Sequence, residues 1–168
     1  TAEPWQLAKR PLETSVIEGW DYQYDLELSR NISLDADTVR SACALEAGTP
    51  LRIVCSWHSV GSQLRQAGFR ADAKRSDRDV SCTARFTIEG RLLSHSVDLL
   101  CEVVLGATPD SGRDPRSARL PGSRLWADRT RLTLEGTGSR FPVQAIDFAD
   151  APWIAESDAA WYVQLNTD

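Results

Sequence analysis

Apolar and polar residues alternate along much of this chain of 168 residues. The alternation is most regular over 80–89, where apolar residues occupy every second position and polar residues the positions between them. A period of two places the apolar side chains on one face of an extended strand. Over 97–105 apolar residues fall on both faces, which predicts a strand that is covered on both sides. We interpret 80–105 as the central hairpin of an antiparallel β protein.

The same alternation, interrupted by turn residues, predicts further strands. They span 21–29, 51–59, 69–73, a pair within 123–148, and 160–165. Together these segments predict an all-β fold: an antiparallel β-sandwich, or a partly open β-barrel, of about 8–10 strands with little helix.

The segment 35–47 fits two structures. It could be a helix that is capped by Asp35 or Asp37 and ends at Gly48. It could also be a strand, because Val39 and Cys43 have apolar neighbours in phase with them. A tight turn and a clear strand over 51–59 follow, so we favour a strand–turn–strand hairpin.

The domain organisation follows from the proline, glycine and tryptophan positions. Residues 1–20 form an irregular arm, because Pro4 and Pro11 exclude a long helix, and Trp5 and Trp20 would anchor this arm to the body. Residues 21–168 are expected to form a single β-sandwich domain. Its long loop at 106–122 contains three prolines and three glycines, and we expect a mobile connector there. The absence of methionine, also at position 1, is typical of a trimmed chain or of an excised domain.

Charge is segregated along the chain, although the net charge is only −5. Residues 65–140 carry fourteen bases and ten acids, whereas 141–168 carry five acids and no base. An ordinary solvated surface would explain this. Alternatively, the acidic ends pack over a surface lined by the central arginines. No segment approaches the ~20 apolar residues of a membrane-spanning helix, so no membrane contact is predicted.

Four cysteines, at positions 43, 55, 82 and 101, lie in phase with apolar neighbours. We therefore expect buried free thiols and a cytoplasmic protein. Inter-strand disulfides in an exported protein are the alternative. The cysteines form no CxxC pair and there are only two histidines, so the sequence predicts no metal site and no cofactor.

Catalytic residues are scarce. His58 and His95 each stand beside serines, where a histidine could act as a base. Neither lies near a nucleophile-elbow motif. A hydrolase of unknown substrate is therefore an alternative that we do not favour.

Two turns each present an arginine and a bulky residue after Gly-Ser, in GSRLW at 122–126 and GSRFP at 138–142. If these turns share one end of the sandwich, they would form a rim suited to a partner. We therefore predict a non-catalytic interaction module, a domain or subunit of a larger protein assembly. The predicted binding residues are Arg124, Trp126, Arg140, Phe141 and Trp153.

Nucleic-acid binding is the second functional hypothesis. Arginines cluster in the two loop regions near 65–78 and 113–124, and Trp126 could stack on a base. The residues that would contact nucleic acid are Arg70, Arg75, Arg78, Arg116 and Arg119. The acidic net charge of the chain counts against this hypothesis.

Overall fold

The computed structural model describes residues 1–7, 10–12, 14–73, 76–108 and 118–136. The strands are β1 (Gln6–Leu7), β2 (Arg10–Pro11), β3 (Val16–Glu18), β4 (Leu26–Asp35), β5 (Leu51–Ser59), β6 (Leu64–Ala73), β7 (Asp79–Ile88), β8 (Ser96–Leu105) and β9 (Arg124–Glu135). The helices are α1 (Ala36–Ala42) and a short 3-10 turn at Gly90–Leu92. No helix in these ranges is long and apolar enough to cross a bilayer.

Two sheets form a sandwich-like all-β fold, as predicted. Sheet A has the strand order β2-β1-β4-β7, and sheet B has the order β3-β9-β8-β5-β6. All strand pairs are antiparallel except β3 with β9. Their inner faces form one apolar core, in which alternate residues of β4 and β7 face alternate residues of β5 and β8.

The N-terminal arm packs on this core through its tryptophans. Trp5 is 2% exposed, and its ring meets Phe86 edge-on at 5.6 Å between centroids. Trp20 is also buried and stacks edge-on with Tyr22. Both tryptophans belong to the buried core, and burial of such large side chains contributes strongly to core stability.

The predicted hairpin over 80–105 is wrong. β7 pairs with β4 in sheet A, whereas β8 pairs with β5 and β9 in sheet B. The chain crosses between the sheets at Gly90, where a Cβ atom would lie 2.1 Å from the Tyr24 carbonyl oxygen. Alternation identifies the buried face of a strand, but two strands with apolar inner faces can meet across a core as well as side by side.

The segment 35–47 was predicted to be the first strand of a hairpin with 51–59. This prediction is also wrong, because the segment contains helix α1. Asp35 is the N-cap, and its side chain accepts a hydrogen bond from the Thr38 amide at 2.9 Å. Such a cap satisfies an amide that would otherwise lack a partner. Arg40 is buried and donates to the Thr49 carbonyl oxygen, which fixes the helix against the turn that follows.

The other predicted strands that the structure describes differ from the observed strands mainly in their first and last residues. The strand predicted over 21–29 begins only at Leu26, because a turn in which the Tyr24 amide donates to the Asp21 carbonyl precedes it. The short strand predicted over 69–73 is the C-terminal half of β6. β9 is the first strand of the pair predicted within 123–148. The second strand of that pair, the strand predicted over 160–165 and residues 109–117 of the predicted loop lie outside the described residues.

Candidate functional site

The outer face of sheet B brings charged side chains together from strands that are distant in sequence. His58 on β5 lies opposite Asp98 on β8 and opposite Arg65 on β6. Asp98 in turn lies opposite Arg131 on β9. Because strand neighbours alternate between faces, these residues point outward while Trp57 and Leu99 enter the core. We call this surface the arginine face: Arg65, Arg124, Arg129 and Arg131 with His58, Asp98 and Glu102.

Asp98 is the centre of the arginine face. Its side chain is 2% exposed, and both oxygens accept hydrogen bonds from Arg131, the shorter from Nε at 2.8 Å. Arg129 donates to the same carboxylate through Nη2. A buried carboxylate is costly unless it is paired in this way. Asp98 therefore fixes the positions of two guanidinium groups whose side chains are 57% and 56% exposed.

The electrostatics of Asp98 agree with this geometry. Hydrogen bonds from Arg131 and Arg129 hold the pKa of Asp98 well below its usual value, although desolvation acts in the opposite direction. The same interaction raises the pKa of Arg131. Asp98 is therefore a carboxylate, and Arg131 is a cation, throughout the physiological pH range.

Glu102 is a second anionic centre, four residues along β8 from Asp98 and on the same face. Arg124 lies 3.4 Å and Arg65 lies 4.0 Å from its carboxylate. Both distances exceed a good hydrogen bond, so these arginines are held more loosely than Arg129 and Arg131. Four arginines against two carboxylates leave the arginine face with two net positive charges when His58 is neutral.

A shallow pocket of about 370 Å³ opens on the arginine face. It is lined by His58, Gln63, Arg65, Asp98, Leu100 and Arg129. Arg65 and Arg129 stand on opposite sides of it because β5 and β8 lie between their strands. The pocket therefore offers a concave surface with a cation on each side.

The pocket contains His58, one of the two histidines considered for a hydrolase. The Nδ1 atom of His58 lies 3.8 Å from the Asp98 carboxylate, beyond hydrogen-bond distance. The hydroxyl of Ser56 is buried and has no hydrogen-bond partner among the described residues. A nucleophile must be accessible to its substrate, so Ser56 does not act as one in this conformation. The other candidate, His95, is exposed, and its carbonyl accepts a hydrogen bond from the Leu134 amide.

A second charged cluster, built around Arg30, lies inside the sandwich. Arg30 on β4 is 5% exposed, donates through Nε to the Glu3 carbonyl and forms an ion pair with Asp128 on β9. Its guanidinium carbon lies 5.3 Å from the centroid of the Trp5 ring, close enough for a cation–π interaction. This cluster joins the N-terminal arm to both sheets.

The four cysteines are free, as predicted. Cys55 and Cys101 are buried and lie directly opposite each other on β5 and β8, whereas Cys43 and Cys82 are half-buried. A hydrogen bond to Cys101, together with burial, raises the pKa of Cys55. Its thiol is therefore protonated at neutral pH and is not a nucleophile.

Two of the predicted binding residues are described, and they project from opposite faces of sheet B. The register shifts so that Arg124 pairs with Val104 and Trp126 with Val103. Neighbouring residues of β8 face opposite sides, so the β-bulge places Arg124 on the arginine face and Trp126 on the other side. Trp126 remains 41% exposed. The other three predicted residues, Arg140, Phe141 and Trp153, lie outside the described part of the chain.

Three of the five residues predicted for nucleic-acid binding are described. Arg70 is exposed on β6, and Arg78 and Arg119 are exposed in loops. Arg75 and Arg116 fall in segments that the structure does not describe. Trp126, the proposed stacking platform, faces away from the arginine face.

The central residues of the arginine face were missed as site residues in the sequence. The available signal was Asp98 itself, a carboxylate in a strand that is apolar on both faces. Such a residue requires cationic partners when the strand is buried. Those partners, Arg129 and Arg131, could not be identified without the register of β8 against β9.

No protein-family model matches this chain, and a search of curated proteins finds no significantly similar sequence. Within the described residues, no group of three or more His, Cys, Asp or Glu side chains is arranged to hold a metal ion.

Proposed function

We propose that this protein is a non-catalytic binding module, a domain or subunit of a larger assembly, whose arginine face binds an acidic segment of a partner protein. The observation that carries the proposal is the buried Asp98 carboxylate, which orients two exposed guanidinium groups. Side chains that are ordered before binding lose less conformational entropy on binding.

The arginine face retains hydrogen-bond donors for a ligand. Arg131 uses Nε and Nη2 for Asp98, and no hydrogen bond to its Nη1 is present among the described residues. Arg65 and Arg124 have side chains that are 61% exposed and interact only loosely with Glu102. Guanidinium groups of this kind form charge-assisted hydrogen bonds with carboxylates.

A protein partner is favoured over nucleic acid by the composition of the arginine face. Binding of single strands usually combines cations with aromatic side chains on which bases stack. The described part of the arginine face carries no Trp, Tyr or Phe, and Asp98 and Glu102 interrupt its positive charge. Acidic side chains of a peptide can avoid those two carboxylates more readily than a continuous phosphate backbone can.

A reducing compartment, such as the cytoplasm, is part of the proposal. It is supported by Cys55 and Cys101, which face each other across adjacent strands and are free. Facing cysteines in an oxidising compartment commonly form a disulfide.

Binding of a fluorescein-labelled octaglutamate peptide, measured by fluorescence anisotropy at low salt, tests the proposal. The pocket variant carries Arg65→Gln and Arg129→Gln, which remove the cations on both sides of the pocket and leave Arg131 on Asp98. The control variant carries Arg85→Gln and Arg91→Gln, which change the net charge equally at exposed positions elsewhere. We expect the pocket variant to bind about tenfold more weakly and the control variant to change less than about twofold.

A labelled twenty-residue oligothymidylate provides the comparison with nucleic acid. The proposal fails if octaglutamate binds equally to the wild type, the pocket variant and the control variant, or binds to none of them. Tighter binding of the oligothymidylate, with a steep dependence on salt, would favour the nucleic-acid hypothesis instead.

A further inference from the structure

β6 is an edge strand of sheet B. Among the described residues it pairs only with β5, so its other edge carries backbone donors and acceptors without a strand partner. An edge of this kind can accept an additional strand from another chain. The inference drawn here rests on the proposed function and concerns how the partner binds.

The first half of β6 is the more exposed half. In the second half, the register with β5 shifts between Cys55 and Ser56, so that Gly68 lies opposite neither residue. Gly68 lies against Phe86 of β7, and a Cβ atom at Gly68 would be 2.4 Å from the Phe86 ring. Ala73, at the end of the strand, is buried. By contrast, the side chains from Leu64 to Ala67 are all exposed. The accessible edge is therefore 64–67, and it adjoins the pocket of the arginine face.

The side chains of 64–67 differ in chemistry between the two faces of the sheet. Leu64 lies opposite Ser59, which belongs to the buried side of β5, and yet Leu64 is 42% exposed. Arg65 lies opposite His58 and belongs to the arginine face. A strand added at this edge would place alternate side chains beside Leu64 and beside Arg65, because strand side chains alternate with a period of two.

The charges on the arginine face indicate which side chains of an added strand would face the pocket. Arg65 and Arg129 flank the pocket, and Asp98 is already neutralised by Arg129 and Arg131. We propose that the open edge of β6 accepts an extended segment of the partner protein in which acidic residues, facing the pocket, alternate with apolar residues that cover Leu64.

The test uses the blocked heptapeptide Glu-Val-Glu-Val-Glu-Val-Glu as the probe, followed by amide NMR spectra and amide hydrogen exchange of the protein. Two analogues carry N-methyl groups, one on the valine amides and the other on the glutamate amides. Methylation removes donors on one edge of the peptide strand only, so charge and side chains stay the same. A peptide with lysine in place of glutamate is the control for charge.

We expect slower hydrogen exchange at alternate amides within 64–67 when the unmethylated peptide is bound. One methylated analogue should lose at least about tenfold in affinity and the other should lose little, because only one edge of the added strand pairs with β6. The lysine peptide should not bind. Leu64→Gln should weaken binding of the unmethylated peptide, because it removes the apolar surface that the valines would cover without adding a charge. Leu120→Gln, at another exposed leucine, is the control and should not weaken binding.

Other outcomes separate this inference from the proposed function. Equal binding of both methylated analogues, with no change in exchange within 64–67, would overturn strand addition and leave the acidic-segment proposal standing. Failure of every acidic peptide to bind would overturn both. Protection of 64–67 that depends on protein concentration in the absence of peptide would show that a second copy occupies the edge, which also overturns the inference.

Discussion

The two arginine–aspartate clusters of this molecule are built in opposite ways. On the arginine face the carboxylate of Asp98 is buried and its arginine partners are more than half exposed. Inside the sandwich the guanidinium of Arg30 is buried and the carboxylate of Asp128 is 36% exposed. In each cluster the buried group determines where its partners stand, because a buried charge without a partner is strongly unfavourable.

The consequence differs because the exposed groups differ. The exposed partners of Asp98 are cations with hydrogen-bond donors left over, so the arginine face can interact with an anion. Arg30 is enclosed by the Glu3 carbonyl, the Trp5 ring and Asp128, and it links the N-terminal arm and both sheets. The comparison therefore predicts a structural role for the inner cluster and a binding role for the outer one.

Substitution of Asp128 should have the largest effect on stability. Asp128→Asn leaves the guanidinium of Arg30 buried without its counterion, and we expect a loss of about 3 kcal/mol in the free energy of unfolding. Urea denaturation at neutral pH measures it. Asp72→Asn, which breaks the exposed ion pair with Arg52, is the matched control and should have no measurable effect.

The double variant Arg30→Met with Asp128→Leu separates charge from packing. Because it leaves no buried charge, it should be more stable than Asp128→Asn alone. If Asp128→Asn is no less stable than Asp72→Asn, the inner cluster has no structural role and the contrast between the two clusters disappears.

Asp98→Asn should have the next largest effect. The amide retains the shape of the side chain but loses the charge that organises Arg129 and Arg131, and we expect a loss of about 2 kcal/mol in the free energy of unfolding at neutral pH. Urea denaturation again provides the measurement. Glu102→Gln is the control on the same strand face, where the ion pairs are longer, and its effect should be smaller. An equal loss in both variants would contradict a special role for Asp98.

The sequence predicted some features of this fold and not others. The alternation correctly predicted β5 and β7 with their buried sides, and β4 from Leu26 onward. β8 was predicted to be covered on both sides, but Leu100, Glu102 and Val104 on its outer face are only half-buried. The alternation did not predict partners, since a period of two is compatible with pairing inside a sheet and with packing across the core. The crossing at Gly90 between β7 and β8 depends on contact with the Tyr24 backbone, which is remote in sequence.

The candidate site was less predictable than the fold for the same reason. Asp98, Arg65 and Arg129 come from three strands and meet only through the registers of β5, β6, β8 and β9. Arg124 was identified in the sequence, but the bulge that separates it from Trp126 was not. Helix α1 could have been predicted from the Asp35 cap, had the cap been given more weight than the apolar phase of Val39 and Cys43.

The stability contributed by Asp98 should depend on pH in a defined direction. Hydrogen bonds from Arg131 and Arg129 hold its folded-state pKa far below the value of about 3.9 expected in the unfolded chain. The contribution is therefore fully present well above pH 3.9 and is lost as the pH falls from about there towards the folded-state pKa.

Urea denaturation of the wild type and of Asp98→Asn between about pH 6 and about pH 2.5 tests this sign. The difference in unfolding free energy between the two proteins should be largest at the upper end and should shrink as the pH falls. A difference that stays constant over the range would show that the pKa of Asp98 is not lowered by folding. Asp35→Asn, which keeps a capping oxygen but removes the carboxylate whose pKa is lowered by hydrogen bonds from Thr38, provides a second titrating position for comparison.

Conservative substitution of Arg131 should have the smallest effect and gives the finest test of the contrast. Arg131→Lys keeps a cation beside Asp98 but cannot form the two-pronged contact made by Nε and Nη2. Arg131→Gln removes the charge as well. We expect the urea midpoint to fall slightly for Lys and further for Gln, with both falling less than for Asp98→Asn because Arg129 remains on the carboxylate.

Octaglutamate binding by the same two variants distinguishes the effect of the Arg131 charge from the effect of its geometry. Octaglutamate affinity should fall in Arg131→Lys, which keeps the cation but loses the fork oriented by Asp98, and should fall further in Arg131→Gln, which loses both. Equal loss of binding in both variants would mean that the orientation imposed by Asp98 matters more than the charge. An unchanged affinity together with a midpoint as low as that of Asp98→Asn would place Arg131 in the structure, as Arg30 is, and remove it from the binding surface.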